Sequence, residues 1–259
     1  MPSSNSTVSN RLAGRSALIT GATRGIGLAT AERFAEHGAN IVLSASNLKA
    51  LKETAASLSQ YAVDVSFFAA DLSASSEIED LFSFAVDRHS QLDVLVNNAG
   101  MHIAKPFIDH SLEEFEYLMR VNVRSVFQLS QYAIRHMQAL GRGKVINVAS
   151  IAGLQGSMNS AAYNTSKHAV VGLTRCMALE NAKLGINVNA ICPGIVETDL
   201  VRGVEDQMVA SGMPREEFRE RIVAQIPRGR VLQPQEIANL AVYLASDESN
   251  GMNGQAVAI

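Results

Sequence analysis

Short apolar runs rich in β-branched residues alternate with longer amphipathic stretches along almost the whole chain. Seven runs are candidate strands, at residues 16–20, 40–44, 65–69, 92–96, 144–148, 187–191 and 255–259. Between them, apolar residues recur at helical spacing, at 25–37, 47–60, 74–89, 112–140, 161–184 and 234–246. Strands that are apolar on both faces belong to a covered sheet, and strand–helix alternation makes that sheet parallel. The sequence therefore predicts an α/β fold with about seven parallel strands and helices on both faces.

A single folded unit accounts for residues 12–259, because no linker rich in Pro, Gly or Ser interrupts them. Residues 1–11 are polar, lack the features of a secretion signal and are expected to form a disordered tail. The alternation is broken once, at residues 199–230, by a pair of short helices after the sixth candidate strand. Open parallel sheets bind ligands at the carboxyl ends of their strands, so this insertion is expected to be a small helical lid. A helix pair simply docked on the core is the alternative.

Composition argues against several classes of function. The net charge of −3 gives no electrostatic reason to expect nucleic acid or an anionic membrane as a partner. No apolar run reaches the roughly 20 residues of a membrane-spanning helix. The two cysteines, Cys176 and Cys192, lie in segments predicted to be buried, and they make neither a disulfide framework nor a metal site. The expected location is the cytoplasm, with no bound metal.

A glycine-rich turn follows the first candidate strand and opens the first candidate helix. Its sequence is Thr20-Gly21-Ala22-Thr23-Arg24-Gly25-Ile26-Gly27. Glycines allow a tight turn and the close approach of a pyrophosphate, and the helix N-terminus supplies free N–H groups. Such glycines can form only a tight turn, but between a first strand and a helix they predict a dinucleotide site. Its predicted contacts are Gly21, Thr23, Arg24, Gly25, Ile26 and Gly27.

The end of the second candidate strand bears on the choice between NAD and NADP. It reads Ser44-Ala45-Ser46-Asn47 and lacks the acid that normally grips the ribose hydroxyls. A carboxylate would repel a 2′-phosphate, whereas small hydroxyl and amide groups accept one. Arg24 supplies a fixed positive charge on the same side, although a solvated arginine at a helix start is the simpler interpretation. We expect NADP(H) with Ser46 at the ribose, while NAD(H) stays possible.

Three further strand ends carry candidate cofactor contacts. Asp71 and Leu72 follow the third strand, where a carboxylate can accept from an adenine amino group. Asn98, Ala99 and Gly100 follow the fourth and give a small-residue turn for close passage of the cofactor. Pro193, Gly194, Ile195 and Thr198 follow the sixth, and Thr198 is a candidate to hold the nicotinamide carboxamide. Each segment alone could be an ordinary turn or cap, but all fall at carboxyl ends of strands, where ligands bind.

A tyrosine and a lysine four residues apart, Tyr163 and Lys167, share one face of a candidate helix. An ammonium beside a phenol favours the phenolate, so Lys167 is expected to lower the pKa of Tyr163. Ser150, after the fifth candidate strand, can hold a substrate oxygen beside that tyrosine. The alternatives are a surface Tyr–Lys pair and a serine that only caps a helix.

Six motifs in order and at matching spacing make the chain resemble the short-chain dehydrogenase/reductase family over nearly all of residues 12–259. They are Thr20-Gly21-x3-Gly25-Ile26-Gly27, Asn97-Asn98-Ala99-Gly100, Asn122, Ser150, Tyr163-x3-Lys167 and Pro193-Gly194-x3-Thr198. The resemblance implies a Rossmann-like, doubly wound sheet and hydride exchange between a nicotinamide cofactor and a carbonyl or alcohol. The helices at 112–140 and 161–184 would join subunits into a homotetramer or a dimer.

The same resemblance assigns a role to each of four residues. Tyr163 becomes the general acid/base, and Lys167 lowers its pKa and holds the nicotinamide ribose. Ser150 hydrogen-bonds the substrate oxygen. Asn122 anchors a water of the proton relay, although it could instead be only a structural helix kink.

Within that family, the segments at 193–199 and 229–238 are similar to those of 3-oxoacyl-carrier-protein reductases. Members that dock a carrier protein present basic residues beside the two long interface helices. This chain has Leu179 at one such place and Gly141 beside Arg142 at the other. The difference weakens the case for a carrier-bound substrate.

The expected substrate is a neutral ketone or secondary alcohol. Family members that oxidise 3-hydroxybutyrate place a His and a Lys between the catalytic Ser and Tyr, and residues 151–162 contain neither. The predicted substrate contacts, Ser150, His102, Gln155 and Met158, form a largely neutral set. Arginines of the lid would change this expectation if they pointed into the pocket; the candidates are Arg202, Arg219 and Arg221.

Two other functions stay open beside an NADP(H)-dependent oxidoreductase. One is an NAD-dependent alcohol or polyol dehydrogenase. The other is a catalytically silent, nucleotide-binding regulatory protein with the same fold. The complete set of Ser150, Tyr163, Lys167 and Asn122 favours catalysis, because binding alone does not require Tyr163.

Overall fold

The computed structural model describes residues 10–210, 212–224 and 226–259. Most of the predicted N-terminal tail, residues 1–9, therefore lies outside the described part of the chain. Among the described helices, none combines the length and the apolar character needed to cross a membrane.

Seven strands form one parallel sheet in the order β3-β2-β1-β4-β5-β6-β7. They are β1 Ser16–Thr20, β2 Asn40–Ala45, β3 Val65–Ala69, β4 Val94–Asn97, β5 Gly143–Val148, β6 Ile186–Cys192 and β7 Ala256–Ala258. The winding direction reverses between β1 and β4, and at such a point the carboxyl ends of the strands leave a crevice. The predicted doubly wound, Rossmann-like α/β fold is confirmed.

Nine α-helices occur in the described residues. They are α1 Gly25–Glu36, α2 Leu48–Leu58, α3 Ser75–His89, α4 Leu112–Met119, α5 Ser125–Leu140, α6 Ala161–Asn181, α7 Asp199–Ala210, α8 Arg215–Ala224 and α9 Pro234–Ala245. Short 3-10 turns span Phe107–Asp109, Ile151–Gly153, Ala182–Leu184 and Asp247–Ser249. The predicted capping box at Ser111 and Glu114 starts α4, and Pro234 stands at the first position of α9.

The helices cover both faces of the sheet. On one face α1, α2 and α9 surround a core that includes the fully buried Phe34 and Leu43. On the other face α3, α5 and α6 surround Leu95 and Leu129. Residues at the carboxyl edge of the sheet are therefore carried on a framework that is closed on both sides by apolar packing.

One sequence prediction about these helices holds with an interruption, and another was wrong. The helical segment expected at 112–140 contains a π-helical turn, Arg120–Arg124, where the Asn122 amide is bound to the backbone of Met101. Cys176 was expected to be buried, as Cys192 is, but it is exposed. The buried stripe of α6 includes Val170, Thr174 and Met177, and position 176 lies off that stripe.

The insertion, residues 199–230, is fastened at both of its ends. Val196 and Leu232 form a parallel bridge, with Glu197 N–H donating to the Leu232 carbonyl at 2.9 Å. Between these ends lie α7 and α8, the predicted pair of short helices. Of the described side chains of the insertion, only Glu205 and Phe218 are buried. The insertion therefore rests on the core with little apolar packing of its own.

Candidate active site

The glycine-rich turn has the geometry that a bound pyrophosphate requires. Gly21 and Gly25 have φ values of +63° and +54°, which side chains with a Cβ rarely adopt. A Cβ on Gly27 would lie 2.1 Å from the Gly21 carbonyl oxygen, so only glycine lets α1 pack this close. No side chain caps the first turn of α1, and no acidic residue lies in it. The backbone N–H groups of this first turn are therefore available to bind the phosphates of a dinucleotide.

The residues that follow β4 hold the glycine-rich turn in place through hydrogen bonds. Asn98 Nδ2 donates to the carbonyls of Thr20 and Gly21, at 2.9 and 3.1 Å. In return, Thr20 Oγ1 accepts from the N–H groups of Asn98 and Ala99, both at 3.0 Å. Asn98 thus holds the glycine turn in shape as well as lining the cleft beside it.

A cleft of about 910 Å³ runs along the carboxyl edge of the sheet. Most of the predicted site residues line it: Gly21, Thr23, Arg24, Gly25, Ile26, Ser46, Asp71, Leu72, Asn98, Ala99, Gly100, His102, Ser150, Tyr163, Lys167, Pro193, Gly194 and Thr198. The structure therefore brings the glycine turn and the Ser–Tyr–Lys set to one continuous surface.

Five predicted residues do not line the cleft. Gly27 packs beneath the glycine turn, and Asn122 is buried behind the cleft wall. Ile195 accepts a hydrogen bond from the N–H of Leu232 where the insertion is fastened. Gln155 and Met158 lie in an exposed loop, and Met158 is 89% exposed. Loop placement depends on distant contacts, which is why spacing alone misplaced those two residues.

Several lining residues were missed by sequence reasoning. They come from the β4–α4 connection, α4, the π turn, the end of β5 and α7: Met101, Ala104, Tyr117, Val121, Val148, Ala149, Leu200, Val201, Gly203 and Val204. Leu200, Val201 and Val204 recur at helical spacing, which is a usable signal. That spacing indicates an apolar face without saying whether it meets the core or a cleft.

Tyr163 has a raised pKa, so the prediction that it would be lowered was wrong. Burial of the phenol raises the pKa, and a hydrogen bond with Ser150 opposes this only in part. Lys167 Nζ lies 5.6 Å from the centre of the Tyr163 ring. Burial lowers the pKa of Lys167 to about 8, below the range in which the phenol ionises. Lys167 therefore carries its charge below about pH 8, where the free phenol of Tyr163 is still protonated.

The lysine is held by the sheet. Lys167 Nζ donates to the Val148 carbonyl at 2.8 Å, and its side chain is buried. A Cβ on Gly100 would lie 3.6 Å from this nitrogen and 3.4 Å from Asn122 Oδ1. Both polar groups therefore face the same point beside Gly100.

Asn122 fixes the loop after β4. Its Oδ1 accepts from Met101 N–H and its Nδ2 donates to the Met101 carbonyl, both at 2.9 Å. The same Nδ2 donates to Ser166 Oγ at 3.1 Å. Asn122 therefore lies in a π-helical turn, a local helix irregularity of the kind often found at functional sites.

Ser150 caps the 3-10 turn that follows β5. Its Oγ accepts from Ala152 N–H at 3.1 Å, which confirms the capping alternative. A hydroxyl that accepts this bond still has a proton to donate. Ser150 can therefore act as a cap and also hydrogen-bond a substrate oxygen.

His102 packs against the candidate acid/base. Its ring meets the Tyr163 ring edge-on with centroids 4.7 Å apart, and its Nε2 lies 3.0 Å from Ser160 Oγ. Burial lowers its pKa, and His110 lowers it further. A neutral His102 is thus a wall of the cleft that restrains the Tyr163 ring.

The arginines of the insertion have carboxylate partners within the chain. Arg219 Nε binds Glu205 at 2.6 Å, and Arg202 binds Asp199. Arg221 binds Glu217 at 2.5 Å. None of these three arginines lines the cleft in the described residues. These three arginines therefore add no positive charge to the described lining of the cleft.

Comparison with known proteins gives consistent matches over nearly the full chain. A family model described as enoyl-(acyl carrier protein) reductase matches residues 21–259. A D-beta-hydroxybutyrate dehydrogenase of Cupriavidus necator is 37% identical, over 94% of this chain and 95% of the relative. A diacetyl reductase [(S)-acetoin forming] of Staphylococcus epidermidis is 35% identical, over 94% and 96%. A crystal structure of actinorhodin polyketide ketoreductase with NADPH has a TM-score of 0.91 and 35% identity, covering 95% of each chain.

Proposed function

The chain belongs to the short-chain dehydrogenase/reductase family, and from this premise we propose that it interconverts a neutral ketone and a secondary alcohol using NADP(H). It is an oxidoreductase of the kind that acts on CH–OH and C=O groups, similar to the 3-oxoacyl-carrier-protein reductases. One observation carries the proposal. Ser150, Tyr163 and Lys167 meet at one part of a cleft that also contains the glycine turn and Arg24.

Tyr163 is proposed to exchange a proton with the substrate oxygen. A bound nicotinamide would supply or accept the hydride at the carbonyl carbon. Burial keeps the phenol protonated, which suits donation to a ketone oxygen in the reductive direction. Ser150 donates a hydrogen bond to the same oxygen. Lys167 is charged below about pH 8, and its positive charge favours departure of the phenol proton.

Asn122 is proposed to anchor the relay that returns a proton to this site. Its Oδ1 and Lys167 Nζ face the same point beside Gly100. Its amide is fixed by two hydrogen bonds to the backbone of Met101, so its position does not depend on the substrate.

Preference for NADP(H) is supported by the charges at the glycine turn. Arg24 lines the cleft and is 74% exposed, so its guanidinium can reach a 2′-phosphate. Ser46 also lines the cleft, whereas the Asn47 side chain is used to cap α2. The similar actinorhodin polyketide ketoreductase was crystallised with NADPH. Arg24→Ala is expected to weaken NADPH binding about tenfold or more while NADH binding changes little.

A neutral substrate is supported by the residues around Ser150. Among the described lining residues, the cations are Arg24 and Lys167, and Lys167 is buried against the Val148 carbonyl. The C. necator relative acts on a hydroxy acid, but residues 151–162 contain no His or Lys to receive a carboxylate. The diacetyl reductase relative, whose named substrate is a neutral diketone, is the better guide. The α7 face that carries Leu200, Val201 and Val204 lines the cleft, which supports a lid role for the insertion.

Tyr163→Phe tests the chemistry directly. The variant keeps the ring and removes the proton, so turnover of a ketone panel is expected to fall by about a hundredfold to ten-thousandfold. NADPH affinity, measured by fluorescence titration, is expected to stay within about twofold, because the phenol is assigned to proton transfer. Tyr132→Phe, the same change at a tyrosine that packs on Phe82 and does not line the cleft, is the matched control. A variant that retained full turnover would overturn the mechanism, and NADPH binding without any turnover by the wild type would favour a silent binding protein.

We further propose that the protein is a cytoplasmic homo-oligomer, a tetramer or a dimer. The long helices leave large apolar side chains in solvent, with Phe127 of α5 47% exposed and Leu179 of α6 83% exposed. Such side chains on neighbouring surface helices are typical of subunit interfaces. Sedimentation of the wild type and of Leu179→Glu tests this, since the charge should shift the assembly toward smaller species. A wild type that sediments as a monomer would overturn the proposal.

A further inference from the structure

Arg24 joins the two sides of the cleft. Its Nη1 lies 3.4 Å from Oδ2 of Asp199, the first residue of α7. Arg24 and Asp199 both line the cleft, the first from the glycine turn and the second from the insertion. The Thr198 side chain also packs against the glycine turn here, because a Cβ on Gly25 would lie 3.2 Å from Thr198 Cγ2. The insertion therefore touches the cofactor-binding turn at this ion pair.

The ion pair is the first link of a longer chain of alternating charges. Asp199 also binds Arg202, and Arg202 lies 3.6 Å from Glu197. Glu197 is 3.8 Å from Arg219, which binds Glu205 at 2.6 Å. Arg215 then binds Glu205 at 3.2 Å and Asp206 at 2.7 Å. The chain of charges runs from the glycine turn through α7 into α8.

Charges rather than apolar packing hold this part of the molecule. Glu205 and Phe218 are the buried side chains among the described residues of the insertion, and Glu205 is bound by two arginines. The backbone bridge between Val196 and Leu232 fastens the two ends of the insertion. The helices α7 and α8, which lie between these ends, take no part in that bridge. A change of ion-pair partner at Arg24 therefore affects an insertion that has little apolar packing against the core.

We propose that Asp199 is a specificity-determining residue that competes with the 2′-phosphate of the cofactor for Arg24. The inference rests on the proposed use of NADP(H). A guanidinium binds phosphate through two parallel charge-assisted hydrogen bonds, which are stronger than its 3.4 Å contact with Asp199. Asp199 keeps Arg202 when Arg24 turns to the phosphate. Binding of NADP(H) thus releases α7 from the glycine turn, whereas binding of NAD(H) leaves the pair in place.

Asp199→Asn is the decisive variant, because it weakens the competitor and keeps its shape. NADPH affinity should rise about two- to fivefold, the range for an exposed ion pair, and NADH affinity should stay unchanged. Glu217→Gln is the matched control, since its partner Arg221 lies outside the chain of charges. An equal change for both cofactors, no change, or weaker NADPH binding would each overturn the proposal.

The double variant Arg24→Ala/Asp199→Asn separates competition from simple repulsion of a phosphate by a nearby carboxylate. If Asp199 acts through Arg24, its substitution has no effect in the Arg24→Ala background. A gain in NADPH affinity that persists in that background would contradict competition. If Arg24→Ala alone weakens both cofactors equally, the proposed NADP preference fails instead, so the two failures are distinguishable.

Hydrogen exchange of the wild type gives an independent readout. NADPH should increase exchange at the start of α7 relative to NADH, and Asp199→Asn should abolish that difference. Identical exchange of the wild type with both cofactors would mean that the insertion does not respond to Arg24.

Discussion

The sheet core and the insertion are held together by different interactions. In the core, strands such as β1 and β5 are buried along their whole length, and apolar helices cover both faces. In the insertion, most described side chains are exposed or half-buried, and ion pairs link its helices. Apolar burial does not depend on charge, whereas exposed ion pairs are screened by salt. The same chain thus combines a framework held by apolar packing and an element held mainly by ion pairs.

This structural division matches the division of roles that we propose for the site. Asn122, Ser150, Tyr163 and Lys167 all lie on the core, where the geometry of a proton transfer can be held constant. The insertion contributes Leu200, Val201 and Val204 to the wall of the cleft. Changes in the insertion should therefore affect which substrates and cofactors bind more than they affect the chemical step.

A pair of truncations gives the largest expected difference between the two regions. Leu18→Ala in β1 should cost about 2–5 kcal/mol of unfolding free energy, because Leu18 is fully buried in the core. Phe218→Ala in α8 removes a larger side chain but should cost less than about 1 kcal/mol of global stability, since little else in the insertion is buried. Urea unfolding measures both. Equal costs would show that the insertion is packed as tightly as the core.

Raising the pH from 8 to 10 should stabilise the core. Burial lowers the pKa of both Lys144 and Lys167 to about 8, while in the unfolded chain lysines keep their protons to above pH 10. The unfolded state then binds more protons, so stability rises with pH, by up to about 1.4 kcal/mol per pH unit for each lysine. The raised pKa of Cys192 opposes part of this rise above pH 9, and the raised pKa of Tyr163 opposes it above pH 10. Lys144→Met should remove part of this rise in the free energy of unfolding. An unfolding free energy of the wild type that does not change between pH 8 and 10 would contradict the prediction.

Acid should loosen the insertion before the core. Hydrogen bonds from Arg219 lower the pKa of Glu205, and those from Arg202 and then Arg24 lower the pKa of Asp199. Their stabilising contribution is therefore present above the ordinary carboxyl pKa and is lost as the pH falls below it. Hydrogen exchange in 199–224 should increase below about pH 4.5, and high salt at pH 7 should act in the same direction. Exchange that rises first in β1 or β5 would reverse this order.

Much of the core could be predicted from local patterns. The apolar runs locate all seven strands, with shifts of one or two residues such as β4 beginning at Val94 instead of residue 92. The position of the insertion and its pair of short helices were also predicted from the sequence. Its contacts could not be predicted, because the partners of Arg202 and Arg219 are chosen among several nearby acids only after the helices have docked. Likewise, the exposure of Gln155 and Met158 follows from the path of a loop.

The sequence by itself determined the features that depend on the backbone and on short spacing. These are the parallel sheet, the glycine turn that tolerates no Cβ at Gly27, and the placement of Tyr163 and Lys167 on one helix face. Only the tertiary structure decided the charge state of that pair and the partner of Arg24. Burial sets the pKa of Tyr163 and Lys167, and burial is a property of the folded surroundings. Arg24 meets Asp199 only because the fold brings distant segments to one edge of the sheet.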